Sequence, residues 1–394
     1  MLTPDLISTI LWFLFFIVFI IFGPKLLFIQ TIVKLEEDVK KFEALATKNF
    51  NFVIKKISKR PTPELRRDVD SFLDFFAVEP VNLDPYGIVK KLDAIISMSE
   101  DKFNYFVKQI MPNASLTQRE NIKNALLGAM SLRQLAKIVR HNFEIVKKYK
   151  MYQMALILQM QLPLVARIAK SYEAATLAFA EGKAIGDGIG PLVAAKMIKG
   201  KPVLLEKEEF VYYPTKMFGK NVIISKALGP GASTGKPHRF LEKIQKEFKI
   251  DRIITIDAGM RLEGEKQGTV VEGVGVALGG SGVERYEIEE FAVKNNIPLD
   301  AVIIKVSDEE ALRPMIEPVF NAVPRAIESV ERILRRTKRT ENVLIIGVGN
   351  TCGVENSADK LQESIESIKR EIKRMKEEEK QKKKKSDTLP ESAV

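Results

Sequence analysis

Cysteine, histidine and tryptophan are almost missing from this chain of 394 residues, which has one Cys, two His and one Trp. The single Cys352 excludes an internal disulfide framework and suits a reducing compartment. His141 and His238 are too few for a multi-histidine metal site, so any metal chemistry must rest on carboxylates. Acid is outnumbered, with 51 Asp and Glu against 62 Lys and Arg, a net charge of +11. About half of that surplus sits in KREIKRMKEEEKQKKKK (369–385), ten bases against four acids. Such a tail is either a solvated, partly disordered terminus or a contact for anionic lipid. No nucleic-acid partner is expected.

Long hydrophobic runs are also scarce, with one exception. LISTILWFLFFIVFIIF (6–22) holds no charged residue, and GPKLLFIQTIV extends its apolar character past Lys25. At ~1.5 Å per helical residue, 6–29 is long enough for a hydrocarbon core of about 30 Å. The preceding MLTPD carries an acid and no base, unlike a cleaved signal peptide. Lys25, Lys34, Lys40 and Lys41 all follow the run, which places the body of the protein in the cytoplasm by the positive-inside rule. The expectation is a single-pass protein of the cell membrane, held in the lipid bilayer by this helix. MYQMALILQMQLPLVARIA (151–169) is the other apolar stretch. Its three glutamines, proline and arginine argue for core helices of the soluble part, with methionines as packing.

Residues 31–57 have apolar positions at helical spacing and read as an amphipathic stem, bounded here as 31–59. Helix starts follow at Thr62-Pro63-Glu64, at Asp84-Pro85 and at a capping box, Thr117-Gln118-Arg119-Glu120. With no strand signal between them, 60–181 is expected to be a helical domain. From Gly182 the pattern changes. VIISKA (222–227), RIITIDA (252–258), AVIIKV (301–306) and NVLIIGVG (342–349) are short β-branched runs separated by helical segments near 236–248, 284–295 and 308–337. Strands buried on both faces and alternating with helices predict an α/β domain with a mostly parallel sheet over 182–356. GTVVEGVGVALGGSG (268–282) is a glycine-rich strand or hairpin beside it. Residues 357–394 form a charged helix and basic tail. There Leu361, Ile365, Ile368, Ile372 and Met375 make a seam, expected to form a coiled coil with the stem or with another copy in a homo-oligomer. The overall class is α+β, with the membrane span as residues 1–30.

Open α/β sheets bind ligands at the carboxyl ends of their strands. The loops there are GPGASTGKPHRF (229–240), DAGMRLEGEKQG (257–268), KVSDEEALRPM (305–315) and GVGNTCGVENS (347–357), joined by GDGIG (186–190). Gly231, Ser233, Thr234, Lys236 and His238 could cradle an anion or carboxylate with backbone N–H groups and a cation, or could be a capped turn. Asp257 ends a buried strand, where an acid is held rigidly with open oxygens, or caps a turn. Asp308, Glu309 and Glu310 cap and charge the helix after them. The loop holding Gly186, Asp187, Gly188 and Gly190 precedes an apolar helix without a strand of its own. If the strand 343–346 lies beside that helix, 347–351, with Gly349 and Asn350, faces 186–190, as in a circular permutation.

These elements resemble, in permuted order, the hydrogenase-maturation peptidase and spore germination protease superfamily. That resemblance implies a phosphorylase/hydrolase-like domain with Asp187 and Asp257 as its catalytic acids and, as in the maturation peptidases, as ligands of a divalent cation. Gly349 and Asn350 would shape the floor. Over most of its length the chain resembles an uncharacterised archaeal family of membrane-anchored proteins, a domain of unknown function. ALGPGASTGKP, IITIDAGMRLEGEKQGTVVEGVGVALGG, GVERYEIEEFA and IGVGNTCGV carry that likeness with the N-terminal anchor, and it implies no activity. GDGIGP also resembles isocitrate and isopropylmalate dehydrogenases, but a comparable set of metal-binding aspartates does not follow it. Two functions are therefore expected as rivals. One is a peptidase-like or other hydrolase with a carboxylate site. The other is a non-enzymatic, membrane-tethered ligand-binding or scaffolding protein.

Overall fold

The computed structural model describes residues 4–75, 88–276, 283–338 and 341–387. The expected helix start at Asp84-Pro85 and the glycines of 277–282 lie outside them. Helices α1 (Pro4–Ile57), α2 (Pro63–Phe72), α3 (Ile88–Ile110), α4 (Leu116–Tyr149) and α5 (Tyr152–Ala180) come first. Next are α6 (Ile189–Met197), β1 (Val203–Leu205), β2 (Phe210–Met217), β3 (Lys220–Ala227) and α7 (Pro237–Phe248). They are followed by β4 (Arg252–Met260), β5 (Val270–Val274), α8 (Val283–Lys294) and β6 (Leu299–Val306). The chain continues through α9 (Asp308–Leu312), α10 (Glu317–Phe320), α11 (Val323–Arg336), β7 (Asn342–Gly347) and α12 (Ala358–Asp387). The contacts divide the chain into two units. One comprises residues up to Asn51 with Ala129–Glu173, the other Phe52–Gly128 with residues from Ala174 onward.

The first unit is helical. Membrane run and stem form one helix, α1, which passes through Pro24 without ending. Among the described residues it is the one helix long and apolar enough to cross a membrane, with a mean hydropathy of 2.5 in its most apolar window. Leu35, Val39 and Phe42 of α1 bury against Leu132, Val139, Phe143 and Val146 of α4 and Ala155, Leu162 and Ala169 of α5. Ion pairs set the directions. Glu43 meets Arg140 at 2.7 Å and Glu36 meets Lys147 at 3.7 Å, so α4 runs antiparallel to α1. Lys48 meets Glu173 at 2.9 Å, and the rings of Phe28 and Tyr152 lie 6.5 Å apart, so α5 runs parallel to α1. The methionines of α5 are not packing: Met154 and Met160 are 43% and 80% exposed.

In the second unit Thr62 caps α2 by accepting from the Leu65 N–H at 3.1 Å, as the sequence indicates. The capping box of α4 is shifted from the expected one. It is Ser115, whose Oγ accepts from Gln118 N while Gln118 Oε1 accepts from Ser115 N, because the helix already begins at Leu116. The seven strands lie in the order β1-β2-β3-β7-β4-β6-β5. β3, β7, β4 and β6 are parallel, while β1, β2 and β5 pair antiparallel at the two margins. The sheet is thus mixed rather than mostly parallel. FVYYPTKM makes β2 in spite of Pro214, which lies beyond the short β1 pairing, where no ladder donor is required.

One face of the sheet buries Val222, Ile224, Ile254, Ile256, Val343 and Ile345 under α6, α11 and α12. The other buries Ile223, Ile253, Leu344 and Ile346 under α7 and α8. The seam Leu361, Ile368 and Ile372 of α12 is buried in the first of these cores, with Ile365 and Met375 beside it. It packs on its own domain, where α6 leaves an apolar flank that this seam fills, and no coiled coil is supported among the described residues.

α6 touches the sheet backbone to backbone. A Cβ on Gly190 would come within 2.2 Å of Val348 O and 2.3 Å of Ile256 O, and one on Gly347 within 2.5 Å of Gly190 O. Gly190→Ala therefore has to push α6 off β4 and β7, an overpacking cost of about 1–3 kcal/mol or more. Gly273→Ala on the exposed edge strand β5, whose Cβ meets only Ile303 Cδ1 at 3.8 Å, is the control. Thermal unfolding of the two variants should separate them, with a large loss for the first and little change for the second.

Candidate ligand-binding site

The missing strand before GDGIG is β7, supplied from the far end of the domain. The two loops meet. Asp187 Oδ2 accepts the Asn350 N–H at 2.8 Å, and Gly349, at φ +123°, lies where a Cβ would stand 2.1 Å from Asp187 O. Asn350 Oδ1 accepts from Cys352 N at 2.9 Å and closes the turn. Gly186 and Gly188 lie against Glu310 O and Asn350 O. Burial pushes the Asp187 carboxyl above its ordinary range, and the Asn350 N–H opposes this. Asp187 is thus a clamp between two loops.

Asp257 is 1% exposed in β4. Ile254 and Ile256 face α6, so the two-residue alternation of the strand gives Asp257 to the α7 and α8 side. Asp187 belongs to the loop entering α6 on the opposite side. The two carboxylates thus come from elements on opposite faces of the sheet. Among the described residues no group of three or more His, Cys, Asp or Glu side chains could hold a metal.

The open space lies one strand over, where the loops after β3 and β7 are stitched together. Thr351 N donates to Ser233 O at 3.0 Å, and its hydroxyl lies 2.8 Å from Gly231 O. Gly353 N donates to Pro230 O at 3.0 Å. The first turns of α4 hold the same loop, with Asn121 Oδ1 accepting from Ala232 N at 2.9 Å and Asn124 Nδ2 donating to Ala232 O at 2.8 Å. Between this loop, α3 and the start of α4 is a cavity of about 690 Å³. Lys108 and Arg119 supply its positive charge and Glu120, Glu206 and Glu209 its negative charge, Leu204 and Leu228 its apolar wall, and Ser233 and Asn356 its neutral polar groups. Arg119 gives Nη2 to Pro112 O at 2.9 Å, and its buried Nε has no hydrogen-bond partner.

Of the sequence-predicted ligand residues, Gly231 and Ser233 line this cavity. Lys236 is held by Glu209 at 2.6 Å, and His238 pairs with Glu242 on α7 at 3.3 Å. Sequence reasoning missed Lys226, Asn356 and Arg119. For Lys226 the signal was present, since a charge inside an apolar strand must find partners. Its side chain is fully buried beneath the cavity-lining Gly229. Nζ donates to Asn356 Oδ1 at 2.8 Å and Ala227 O at 3.0 Å, and Asn356 Oδ1 also accepts from Gly229 N at 2.8 Å. Burial pushes the amine down to about 7. Burial pushes Cys352 the other way, up to about 12, which leaves it an unreactive thiol.

The fold and the cavity define a class: an α/β domain with a cavity at the carboxyl end of the parallel strand β3, joined in one chain to an apolar N-terminal helix. The chain belongs to a family of unknown function, DUF1512. The model of that family's N-terminal domain matches residues 9–182, and that of its C-terminal domain matches residues 185–355. A search of curated proteins found no match.

Two outcomes follow. Asp187→Asn keeps an acceptor for Asn350 N–H and should leave the melting temperature nearly unchanged. Asp187→Ala orphans that N–H and should cost about 1–3 kcal/mol in denaturant unfolding. The second concerns Lys226. The unfolded amine holds its proton up to the ordinary 10.5, whereas the folded one releases it near 7. Unfolding therefore takes up a proton between these values, and stability rises as pH goes from about 7 toward 10 and is flat below about 7. Melting curves across that window should show the rise in the native chain and a flattened profile in Lys226→Met.

Proposed function

We propose that this protein is a single-pass membrane protein whose α/β domain faces the cytoplasm and binds a small polar ligand carrying an anionic group. The observation that carries this reading is the cavity beneath the 228–233 loop, with the unpartnered Arg119 Nε in its wall and Lys108 in its lining, while Glu120, Glu206 and Glu209 of the same lining favour a ligand that also carries donor groups. A buried donor without a partner costs free energy, which an anionic oxygen would recover. The uncharged run 6–22, followed by lysines, supports anchoring and orientation. The Lys-rich stretch 369–385 supports added contact with anionic lipid.

A hydrolase working through paired carboxylates has less support, because Asp187 is engaged as a loop clamp and Asp257 faces the other side of the sheet. The test uses the full chain in detergent with inorganic phosphate as the anionic probe and calorimetric titration as the readout. Arg119→Met should weaken phosphate binding by about tenfold, the loss expected for a charge-assisted hydrogen bond. The double variant Asp187→Asn, Asp257→Asn should bind as the native chain does. The reverse pattern, affinity lost with the two aspartates and kept without the arginine, would overturn the reading in favour of the carboxylate site.

A further inference from the structure

We infer that the turn between α4 and α5 is a second membrane contact, in which Tyr149, Met151, Met154 and Ile157 enter the boundary between headgroups and acyl chains. The inference rests on the reading that α1 spans a bilayer, and it assigns that bilayer a further binding surface on the chain.

Position comes first. The turn's level along α1 is fixed by the rings of Phe28 and Tyr152, 6.5 Å apart, and by the pair of Glu36 and Lys147 at 3.7 Å. It therefore lies beside the 28–36 stretch of α1. The exposed apolar side chains of α1 run from Ile10 to Ile29 and end with Val33. A span takes about 20 residues, so the carboxyl-terminal membrane surface falls at this same level.

Composition agrees with position. The inner face of α5 buries Ala155, Leu162 and Ala169, which would leave a polar outer face on an ordinary surface helix. Instead Met154 and Ile157 are exposed, as are Met151 in the turn and Tyr149 at the end of α4. Lys147, Lys148 and Lys150 stand among them. A tyrosine and flexible apolar side chains ringed by lysines match the interfacial layer, where the rings and thioethers sit at the acyl boundary and the ammonium groups reach anionic phosphates. Continuity with the α1 run and this charge complementarity select the bilayer over a second copy of the chain. A second copy would cover Leu164 and Ile168, farther along the same outer face, equally well.

The native chain supplies its own control, because its single tryptophan, Trp12, lies in the α1 run. The full chain is reconstituted into vesicles of phosphatidylcholine and phosphatidylglycerol, with or without lipid brominated in the acyl chains. Quenching of Trp12 tests the span. In a Trp12→Phe background, Met154→Trp and Ile168→Trp place one reporter each at the turn and farther out. The reporter at 154 should be quenched about twofold or more by lipid brominated near the headgroup, and that at 168 should not, given an interfacial depth of about 5–10 Å. Lys148→Gln with Lys150→Gln should reduce the quenching at 154 and its dependence on phosphatidylglycerol. Met151→Trp repeats the measurement should the variant at 154 fold poorly. If Trp12 is quenched but 154 is quenched no more than 168, the inference is overturned and the span stands. Blue-shifted emission at both positions without quenching would assign the face to a second copy and also overturn it. Unquenched Trp12 would remove the span itself, and the inference with it.

Discussion

The α/β domain depends on a close contact made chiefly by backbone atoms. Gly190 lets the first turn of α6 rest on the carbonyls of Ile256 and Val348, and Gly347 admits the carbonyl of Gly190 in return. That reciprocal fit decides where the chain between α5 and β1 joins a sheet whose strands come much later in the sequence. Once α6 is seated, its apolar residues Leu192 and Val193 complete the core over β3, β7 and β4. Its remaining flank then receives the seam of α12, so the last helix is held through α6. The Asp187 carboxylate ties the loop that carries Asn350 to this junction. The carboxylate accepts the Asn350 N–H and so joins two segments that are distant in the sequence.

The same junction sets up the cavity indirectly. With Asn350 fixed, the chain that follows β7 runs beside the loop that follows β3, and Thr351 binds the carbonyls of that loop. Lys226 lies under the pair, and its amine is shared with Asn356. A buried amine near neutrality costs stability that a methionine or leucine would not, since desolvation of the charge is repaid only through good hydrogen bonds. Its partners are the groups that shape the cavity floor, so its cost maintains the floor as well as the fold. The helices α3 and α4 then add the wall with Lys108 and Arg119. The crevice at the strand ends is thereby closed by residues from a part of the chain that sequence pattern alone assigns to a separate helical domain.

Much of this was legible in the sequence because the signals were local. Four β-branched runs became β3, β4, β6 and β7, and Thr62 caps the helix it precedes, whereas the N-cap expected among Asp308, Glu309 and Glu310 is Ser307, with Glu310 completing its capping box. The pairing of NVLIIGVGN with GDGIG was also legible, since a glycine-rich helix start without a strand demands one from elsewhere. What could not be read was decided by contacts between distant segments. β2 has a proline in its middle and is kept by its ladder with β3. The seam of α12 is amphipathic in the same way whether it meets a stem, a second copy or α6, and periodicity does not name the partner. Asp187 and Asp257 were paired because each stands in a glycine loop or at a strand end. The face each occupies follows only from the strand alternation measured against a known core. Arg119 gave no signal at all, since its meaning arises from the hydrogen bond its Nε does not make.

Residues 151–169 show why composition alone misleads about which apolar side chains are buried. Glutamines, a proline and an arginine argue against this segment as a span, and among the described residues α1 is the one helix long and apolar enough to be one. Exclusion from spanning does not make every apolar residue part of a core. If α1 spans a bilayer, a helix at the level where the span ends would meet three surroundings along its circumference: protein, water and the interfacial layer. Met154, Ile157 and Met160 lie on the side that α1 and α4 leave uncovered, and their flexible side chains carry little of the unit's packing. The core of the unit is made by the small and branched residues of the opposite face, Ala155, Leu162 and Ala169, which allow α5 to approach α1 closely. Close approach on one face and adaptable apolar residues on the other are separate demands on the same helix. A one-dimensional pattern adds them together, whereas the three-helix packing separates them.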